Sequence, residues 1–534
     1  MPSRPPRPSP GLLLAGIPFR ALVLASLWTL AAAGPAPPVA AAQALPADPA
    51  ADLAARIQAF IQAPRFQASV WGIQVVSLDT GRVLFQHDAG KYFLPASNAK
   101  LFTAAMALQE LGPELRIRTS LYAAAPPGAD GTLAGDLVLY GRGDPTLQRP
   151  WDGGPAQADP FEALALQLQA RGVRRIQGDL VGDDSYFDAP PYGSGWEVED
   201  LSFAYGAEPT ALAVHGNVVD LWVYPGLEPG RPCFLFAQPG HGLFAFQNQT
   251  RTAPTGMGTR VRADRAPGEQ AIRVTGTLAA GSAPVRLTVT VRDSALLAAR
   301  LLERALARQG IQVRGQARAV HAQDRAVPLD PAGLAELGHL DSPPLEEIVR
   351  LMLKRSDNLY AQLVLLHAGA RSAAPGAGDT ARRALAVLDG WMARAGLAPG
   401  DAVLEDGAGL SRRNLVKPAA IVKLLAYMDR QPEAGPFRAA LSLAGVDGTL
   451  RARMDGTPAQ GSLGAKTGTL RHTFNLSGYV TAAGGERLAF SLMLNNYLPA
   501  PRTVPRAELD ALGAILAAYP GREPGRNPGG FQGD

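Results

Sequence analysis

Three short polar motifs lie far apart in this chain, and they act as one site only if the fold brings them together. They are Ser97-Asn98-Ala99-Lys100, Ser356-Asp357-Asn358 and Lys466-Thr467-Gly468. Residues 101–355 separate the first motif from the second, which is a longer interval than a single core needs between two parts of one site. The spacing therefore predicts one folded core that is interrupted by a large insertion.

The first two motifs contain the residue types of a serine acyl-transfer site in which lysine moves the protons. Ser97 is predicted at a helix N-terminus, where the helix dipole and free N–H groups stabilise negative charge. Lys100 projects from the same helix face, and burial beside another cation lowers the pKa of such an amine. Ser356 suits proton relay to a leaving amine, and Asn358 suits hydrogen bonds to Lys100 and to the substrate amide.

The third motif suits substrate binding on a strand beside the cleft. Lys466 offers positive charge and Thr467 a hydroxyl to a substrate carboxylate, while Gly468 lets another backbone approach closely. The N–H of Thr469, with that of Ser97, is suited to form an oxyanion hole. Each motif also has a purely structural interpretation: the two serine motifs as helix caps, and Lys466 as a charge that blunts an edge strand.

Lysine is rare in this chain, although basic residues are not. Of 51 lysines and arginines only six are lysines, and two of these are Lys100 and Lys466. Arginine supplies surface charge equally well but stays protonated, so it cannot act as a base. Lysine is thus retained where a titratable amine is needed.

The N-terminus has the pattern of a secretory signal peptide, predicted over residues 1–42. Three arginines precede the apolar run 21–30, and small residues follow, with cleavage expected after Ala42 or Ala44. The three arginines account for most of the net charge of +4, so nucleic-acid binding is not predicted. The single cysteine, Cys233, excludes an internal disulfide, and no metal-ligand or cofactor motif is found, so we predict no metal and no cofactor.

The pattern of apolar residues predicts an α/β (α+β) fold with two kinds of domain. Residues 45–117 and 326–520 are predicted to form one catalytic core, an antiparallel sheet with helices on both sides. Residues 118–325 read as a β-rich insertion of one or two accessory domains, with a nested subdomain near 125–205. Residues 521–534 are expected to form a disordered tail.

From about residue 50 to 520 the chain resembles the penicillin-recognising serine enzymes, and among them the low-molecular-mass class C penicillin-binding proteins. Besides the three motifs, the similarity includes four strings at 143–147 (GDPTL), 178–181 (GDLV), 406–411 (DGAGLS) and 445–450 (GVDGTL). Ala408 stands where this family usually has serine. The resemblance implies a transpeptidase core like that of penicillin-binding proteins and β-lactamases, with a second accessory domain nested in the first.

The family consists of D-alanyl-D-alanine carboxypeptidases that are also endopeptidases of peptidoglycan cross-links, and they are acylated by β-lactams. The resemblance implies that Ser97 is the nucleophile and Lys100 its base. It also implies that Ser356 and Lys466 assist proton transfer, that Asn358 positions the substrate, and that Lys466 and Thr467 hold its carboxylate. Asp200 and Tyr205 match the family's pair for the free amino-acid end of the stem peptide, such as the ammonium of diaminopimelate.

Two alternatives remain open at this point. One is a serine β-lactamase or esterase on the same core, against which stand the long insertion and the lack of a glutamate in an E-x-x-L-N string. The other is a peptidoglycan-binding protein without catalysis. The expected location is the periplasm, with peripheral membrane association left open.

Overall fold

The computed structural model describes residues 48–147, 159–239, 243–266, 268–325, 327, 329–372, 378–502 and 504–521. The predicted signal peptide and all but the first residue of the predicted tail lie outside these residues. Among the described residues, none of the helices has the length and apolar character needed to span a membrane.

The helices of the described residues are, in chain order, α1 (Pro49–Ile61), α2 (Lys100–Glu110), α3 (Pro160–Ala170), α4 (Ser294–Arg308), α5 (Leu345–Arg355), α6 (Asn358–Arg371), α7 (Thr380–Arg394), α8 (Pro418–Met428), α9 (Ala434–Ala440) and α10 (Arg506–Ala517). The strands are β1 (Val70–Ser77), β2 (Val83–His87), β3 (Arg118–Ala123), β4 (Thr132–Leu133), β5 (Leu137–Tyr140), β6 (Arg175–Ile176), β7 (Leu180–Asp183), β8 (Val218–Tyr224), β9 (Phe234–Gln238), β10 (Phe246–Ala253), β11 (Arg260–Asp264), β12 (Ile272–Ala279), β13 (Val285–Thr290), β14 (Gln312–Val313), β15 (Ala317–Val320), β16 (Ala335–Asp341), β17 (Ala402–Val403), β18 (Leu415–Val416), β19 (Ser442–Leu443), β20 (Leu463–Leu470), β21 (Thr473–Thr481) and β22 (Arg487–Asn495).

The centre of the fold is a six-stranded sheet in the order β19-β20-β21-β22-β1-β2. Every neighbouring pair is antiparallel. The last strand of the chain, β22, therefore lies beside the first, β1, and Val70 pairs with Asn495. As predicted, β20, β21 and β22 are consecutive antiparallel strands.

Both faces of this sheet are covered by helices, because its central strands are apolar on both sides. In β22, Leu492 and Leu494 belong to one buried cluster with α1 and α10. Ala489 and Met493, on the alternate face, belong to a second cluster with α2 and α5–α9. This is the predicted fold class: an antiparallel sheet with helices on both sides.

A third buried cluster forms the core of the inserted region, around α3 and α4. Its largest sheet has the order β15-β7-β5-β3-β16, and three smaller three-stranded sheets surround it. The chain leaves the core through β3 and returns through β16, which pair antiparallel, with Arg118 beside Asp341. The domain boundaries remain a prediction. Strand β16, at the edge of this sheet, lies after residue 325, where the predicted insertion ends.

Candidate active site

Ser97 lies in a tight turn that leads into the central helix of the core. Residues Ala96–Ala99 form a 3₁₀ turn, and α2 begins at Lys100, so the predicted helix start at Ser97 is one turn of 3₁₀ helix. The turn is fixed to the sheet by Asn98, whose Nδ2 donates to Ser477 Oγ at 2.7 Å. Lys100 Nζ lies 2.9 Å from Ser97 Oγ, so the first motif folds as a hydrogen-bonded pair.

The second motif is the junction between α5 and α6. Ser356 ends α5 in the left-handed conformation (φ 59°), and the Asp357 carboxylate caps α6 by accepting from the Tyr360 N–H at 3.2 Å. The helix-cap interpretation is therefore correct for this motif, whose caps orient the flanking side chains toward the site, whereas Ser97 does not cap a helix in the first motif. Asn358 Oδ1 accepts a hydrogen bond from Lys100 Nζ at 2.6 Å.

The third motif lies on β20 and joins the other two. Lys466 is fully buried, and its Nζ donates to Ser356 Oγ at 2.7 Å and to the Thr467 carbonyl at 2.8 Å. Thr467 Oγ1 donates to Thr449 Oγ1 at 3.0 Å. Gly468 allows the backbone before Ser97 to pack closely against β20, since a Cβ at Gly468 would lie 2.6 Å from the Pro95 carbonyl oxygen.

Burial sets the protonation of the two lysines. It lowers the pKa of Lys100 to about 7, against the smaller opposing effect of Asp406 and Asp357. The pKa of Lys466 lies well below its ordinary value, because of burial and then the charge of Lys100. Near neutral pH, Lys100 is thus partly an uncharged amine, which is the form that can accept a proton.

The hydrogen bonds of Lys100 match that uncharged form. Its Nζ contacts three groups: Ser97 Oγ, Asn358 Oδ1 and the Ala408 carbonyl oxygen. The last two only accept, so a neutral amine donates both of its hydrogens to them and keeps its lone pair for the Ser97 hydroxyl. The amide orientation of Asn358 is fixed independently, because its Nδ2 donates to the Tyr205 carbonyl at 2.8 Å.

The loop that presents Ala408 is held by Asp406, whose role the sequence analysis did not identify. This buried carboxylate accepts from the N–H groups of Gly409, Leu410 and Ser411, at 2.8 to 3.0 Å. It also accepts from Trp196 Nε1 of the insertion at 2.8 Å. Lys100 contacts only the main chain of Ala408, which explains why alanine is compatible with this position.

The insertion forms one wall of a cleft over the site, with a volume of about 700 Å³. The cleft is lined by Ser97, Ser356, Asn358 and Thr469 from the core and by Asp200 and Tyr205 from the insertion, while Lys100 and Lys466 are buried. Six of the ten predicted site residues thus line the cleft. Lys100 and Lys466 each donate a hydrogen bond to one of these six, and Gly468 directly precedes Thr469. Thr467 does not line the cleft.

Asp200 and Tyr205 are joined to each other and to the core. The Tyr205 hydroxyl is hydrogen-bonded to the Asp200 carboxylate, which also accepts from the Glu197 N–H at 3.1 Å. Burial raises the pKa of Asp200. The Tyr205 ring stacks on Phe203 with centroids 5.4 Å apart. Since the Tyr205 carbonyl also accepts from Asn358, one segment carries both of these cleft-lining groups and a contact to the second motif.

Arg412 is a further charged residue of the cleft that the sequence analysis did not single out. It follows directly after the 406–411 string, and this position was the only available signal. Its guanidinium lies 3.0 Å from the Glu197 carboxylate. Within the described part of the chain, no group of three or more His, Cys, Asp or Glu side chains is arranged to hold a metal ion.

Comparison with known proteins agrees with this geometry. The chain is 37% identical over 479 residues to a D-alanyl-D-alanine carboxypeptidase of Actinomadura sp. (strain R39), covering 88% of this chain and 85% of that protein. It is 27% identical over 433 residues to the D-alanyl-D-alanine carboxypeptidase DacB of Haemophilus influenzae, covering 80% and 85%.

Solved structures show the same architecture. Penicillin binding protein 4 of Haemophilus influenzae superposes with a TM-score of 0.74 at 26% identity, over 86% of this chain and 98% of that chain. Its complex with a β-lactam superposes with a TM-score of 0.67 at 24% identity, over the same shares, which supports the fold.

The fold and the site define a low-molecular-mass class C penicillin-binding protein, a serine-type carboxypeptidase. Residues 53–519 match the D-Ala-D-Ala carboxypeptidase 3 (S13) family, and the chain belongs to that family.

Proposed function

We propose that this carboxypeptidase uses Ser97 as its nucleophile and Lys100 as its general base, on peptidoglycan stem peptides outside the cytoplasm. The observation that carries this assignment is the set of contacts around Lys100 Nζ, which leave its lone pair for the hydroxyl 2.9 Å away. A serine hydroxyl is a weak nucleophile unless a base takes its proton during attack.

In acylation, Ser97 Oγ attacks the carbonyl carbon of the penultimate D-alanine while its proton passes to Lys100. The carbonyl oxygen becomes an oxyanion, for which the N–H groups of Ser97 and Thr469 are the proposed donors. The C–N bond then breaks, and the leaving amine takes a proton from Ser356, which Lys466 replaces through their 2.7 Å hydrogen bond.

The substrate's two ends are assigned to different walls of the cleft. Lys466 and Thr467 are proposed to bind the terminal carboxylate. The Lys466 amine is hydrogen-bonded to Ser356, which lines the cleft, and its cationic form attracts a carboxylate. Thr467 lies two residues before Thr469, which also lines the cleft. Asp200 and Tyr205 are proposed to bind the ammonium of the stem's free amino-acid end. Arg412, which lines the same cleft, supplies a cation for the carboxylate of that end.

Water then hydrolyses the acyl-enzyme by attacking the carbonyl carbon of the Ser97 ester, and its proton passes through Ser356 to the Lys466 amine. The ester C–O bond breaks, Ser97 Oγ takes back the proton that Lys100 holds, and the shortened stem is released. When the leaving amine belongs to a neighbouring stem instead of free D-alanine, the same steps cut a cross-link, so we include endopeptidase activity in the proposal. β-Lactams present a similar carbonyl and carboxylate and are expected to acylate Ser97. An exported, periplasmic location follows from this substrate and from the predicted signal peptide, and peripheral attachment to the membrane is compatible with it.

Labelled penicillin and purified muropeptides test the assignment together. We expect a stable penicillin adduct that is lost in Ser97→Ala, and release of D-alanine from pentapeptide stems by the wild type only. Rapid turnover of penicillin would instead favour a β-lactamase. A wild-type protein that forms no adduct and releases no D-alanine, yet binds muropeptides, would be a binding protein.

A further inference from the structure

A second cavity adjoins residues 197–205, the substrate segment, which carries Asp200 and Tyr205. The 3₁₀ helix Val198–Ser202 of the insertion carries Asp200, which lines the catalytic cleft. Leu201 and Ser202 of the same helix line another cavity, of about 110 Å³, together with Tyr192. One short helix therefore forms a wall of both spaces.

Arginines dominate the charge of this region. Arg265 and Arg292 line the 110 Å³ cavity and also a neighbouring one of about 270 Å³, which Arg300 lines as well. Arg265 donates to the carbonyl and hydroxyl of Thr290. Among the described residues, the side chains of Arg292 and Arg300 have neither a hydrogen bond nor an ion pair within 4 Å. Burial and the charge of Arg292 lower the pKa of Arg265, as expected for two cations held close together.

Nearby acids do not neutralise these arginines. Glu208 is the one acid that lines the smaller cavity, and burial raises its pKa to about 7, so at neutral pH it is only partly ionised. Asp293, the N-cap of α4, contributes a single negative charge at the larger cavity, which three arginines line. Asp184 lies 3.0 Å from His321, and these two charges offset each other. Positive charge remains in excess around a space that is open to a ligand.

We propose that Arg265 and Arg292 form a binding site for an oxyanion, a carboxylate or a phosphate group, with Arg300 beside it. Planar guanidinium groups bind both anions through paired N–H donors, and a partly buried setting strengthens such bonds. The Tyr192 and Ser202 side chains supply further polar groups to the smaller cavity. Anion binding at this site is separate from Ser97 and does not depend on the proposed function, whereas its expected effect on KM rests on the proposed role of Asp200.

The site is connected to the substrate segment by two hydrogen bonds. Arg265 donates to the Thr290 carbonyl, and Thr290 Oγ1 donates to the Leu201 carbonyl at 2.8 Å. An anion that fixes Arg265 therefore also fixes the helix that carries Asp200. We expect occupancy to lower the KM for a stem with a free amino-acid end, because the Asp200 wall is then held in place.

The binding test uses the full-length mature protein, titrated separately with inorganic phosphate and with acetate at constant ionic strength. It is done at pH 8, where Glu208 is mostly ionised, and affinity is read by calorimetry and by the shift in Tm. Arg292→Gln should weaken binding about tenfold, the size expected for one charge-assisted hydrogen bond. Glu208→Gln should strengthen it about fivefold, because a nearby negative charge is removed.

Arg231→Gln is the matched control, since Arg231 is an exposed arginine of the same insertion that lines neither cavity. It should leave the affinity unchanged. The proposal is overturned if neither anion binds, if Arg231→Gln weakens binding as much as Arg292→Gln, or if Glu208→Gln fails to strengthen it. The last arm decides the matter even if Arg292→Gln does not fold. Preference for phosphate over acetate, or the reverse, identifies the anion class.

Discussion

Lys100 shows at the scale of one residue why this chain keeps lysine while it uses arginine almost everywhere else. The amine is completely buried, and its two acceptors and one hydroxyl partner leave no room for the five donors of a guanidinium. An arginine at this position would keep the positive charge, but it stays protonated and so cannot accept the serine proton. The proposed chemistry therefore depends on the pKa of this amine.

The rate of acylation by penicillin should rise with pH and level off, with a midpoint near the Lys100 pKa of about 7. The direction follows because the protonated amine, dominant below that pH, cannot accept the Ser97 proton. Lys100→Arg should lower the rate about 10²- to 10⁴-fold, the usual contribution of a general base, and abolish the rise. Stopped-flow acylation from pH 5.5 to 9 measures both. A midpoint near 10, or an active arginine variant, would contradict the assignment.

Gly409 shows how closely the loop of Asp406 packs against the serine turn. Its φ is 78°, and a Cβ there would collide with the Ala96 carbonyl oxygen. We expect Gly409→Ala to lower the free energy of unfolding by about 1 to 3 kcal/mol through backbone strain and to slow acylation as the loop shifts. Urea unfolding and penicillin labelling test this.

Gly390→Ala provides the control for Gly409→Ala. Gly390 lies in helix α7, has no positive φ, and a Cβ there would meet only the flexible end of the Arg394 side chain, at 3.4 Å. Because alanine is the better helix former, this variant should be neutral or stabilising by about 1 kcal/mol. Equal losses in both variants would mean that the Gly409 contact has no special importance.

At the scale of elements, the segment from Glu197 to Tyr205 joins the insertion to the catalytic motifs. Its Tyr205 carbonyl bonds Asn358, and its Tyr205 hydroxyl bonds Asp200. One residue thus contacts both the proposed recognition site and the residue that orients Lys100. If the proposed roles are correct, this segment connects substrate binding with proton transfer.

Tyr205→Phe removes the hydroxyl but keeps the ring and the carbonyl. We expect kcat/KM for a stem with a free amino-acid end to fall about fivefold, from the loss of one hydrogen bond to a partly buried carboxylate. Acylation by penicillin, which has no such end, should change less than twofold. Parallel assays with the free and the N-acetylated stem peptide separate the two. An equal fall for both stems would contradict the role of Asp200 and Tyr205.

The same elements show how far the sequence alone could lead. The helices around Ser356 and the strands β20 to β22 were predictable, because their apolar periodicity is strong and caps or turns bound them. The side chains of the three motifs were recognisable as residue types. The Ala408 and Tyr205 carbonyls were not, since every residue has a carbonyl and its identity carries no signal. The approach of the insertion to the cleft depends on packing between distant segments, which spacing does not report.

At the scale of the whole molecule, His367 lies where the insertion packs on the core. It belongs to α6, and its ring meets the Phe187 ring edge-on, with centroids 5.3 Å apart. Burial lowers its pKa to about 4. The folded protein therefore holds a neutral imidazole against the insertion at all but acidic pH.

This burial predicts a loss of stability in mild acid. Below pH 6.5, the ordinary histidine pKa, His367 is protonated in the unfolded chain, whereas in the folded protein it stays neutral down to about pH 4. The free energy of unfolding therefore falls as the pH is lowered over that interval. At pH 5 the expected loss is about 2 kcal/mol. In His367→Leu the drop between pH 7 and pH 5, measured by urea unfolding, should shrink by that amount. His339→Leu, at a half-exposed histidine, should keep the full drop, and an unchanged drop in His367→Leu would refute the prediction.

The position of β22 between β21 and β1 has a consequence for how the enzyme is made. Strand β1 is synthesised early, whereas β22, its neighbour on that side, follows about 400 residues later. The sheet therefore cannot close between these two strands until β22 has been made, and contacts of such long range form slowly. Assembly of the central sheet thus waits for a late part of the chain, whatever the inserted region has done before.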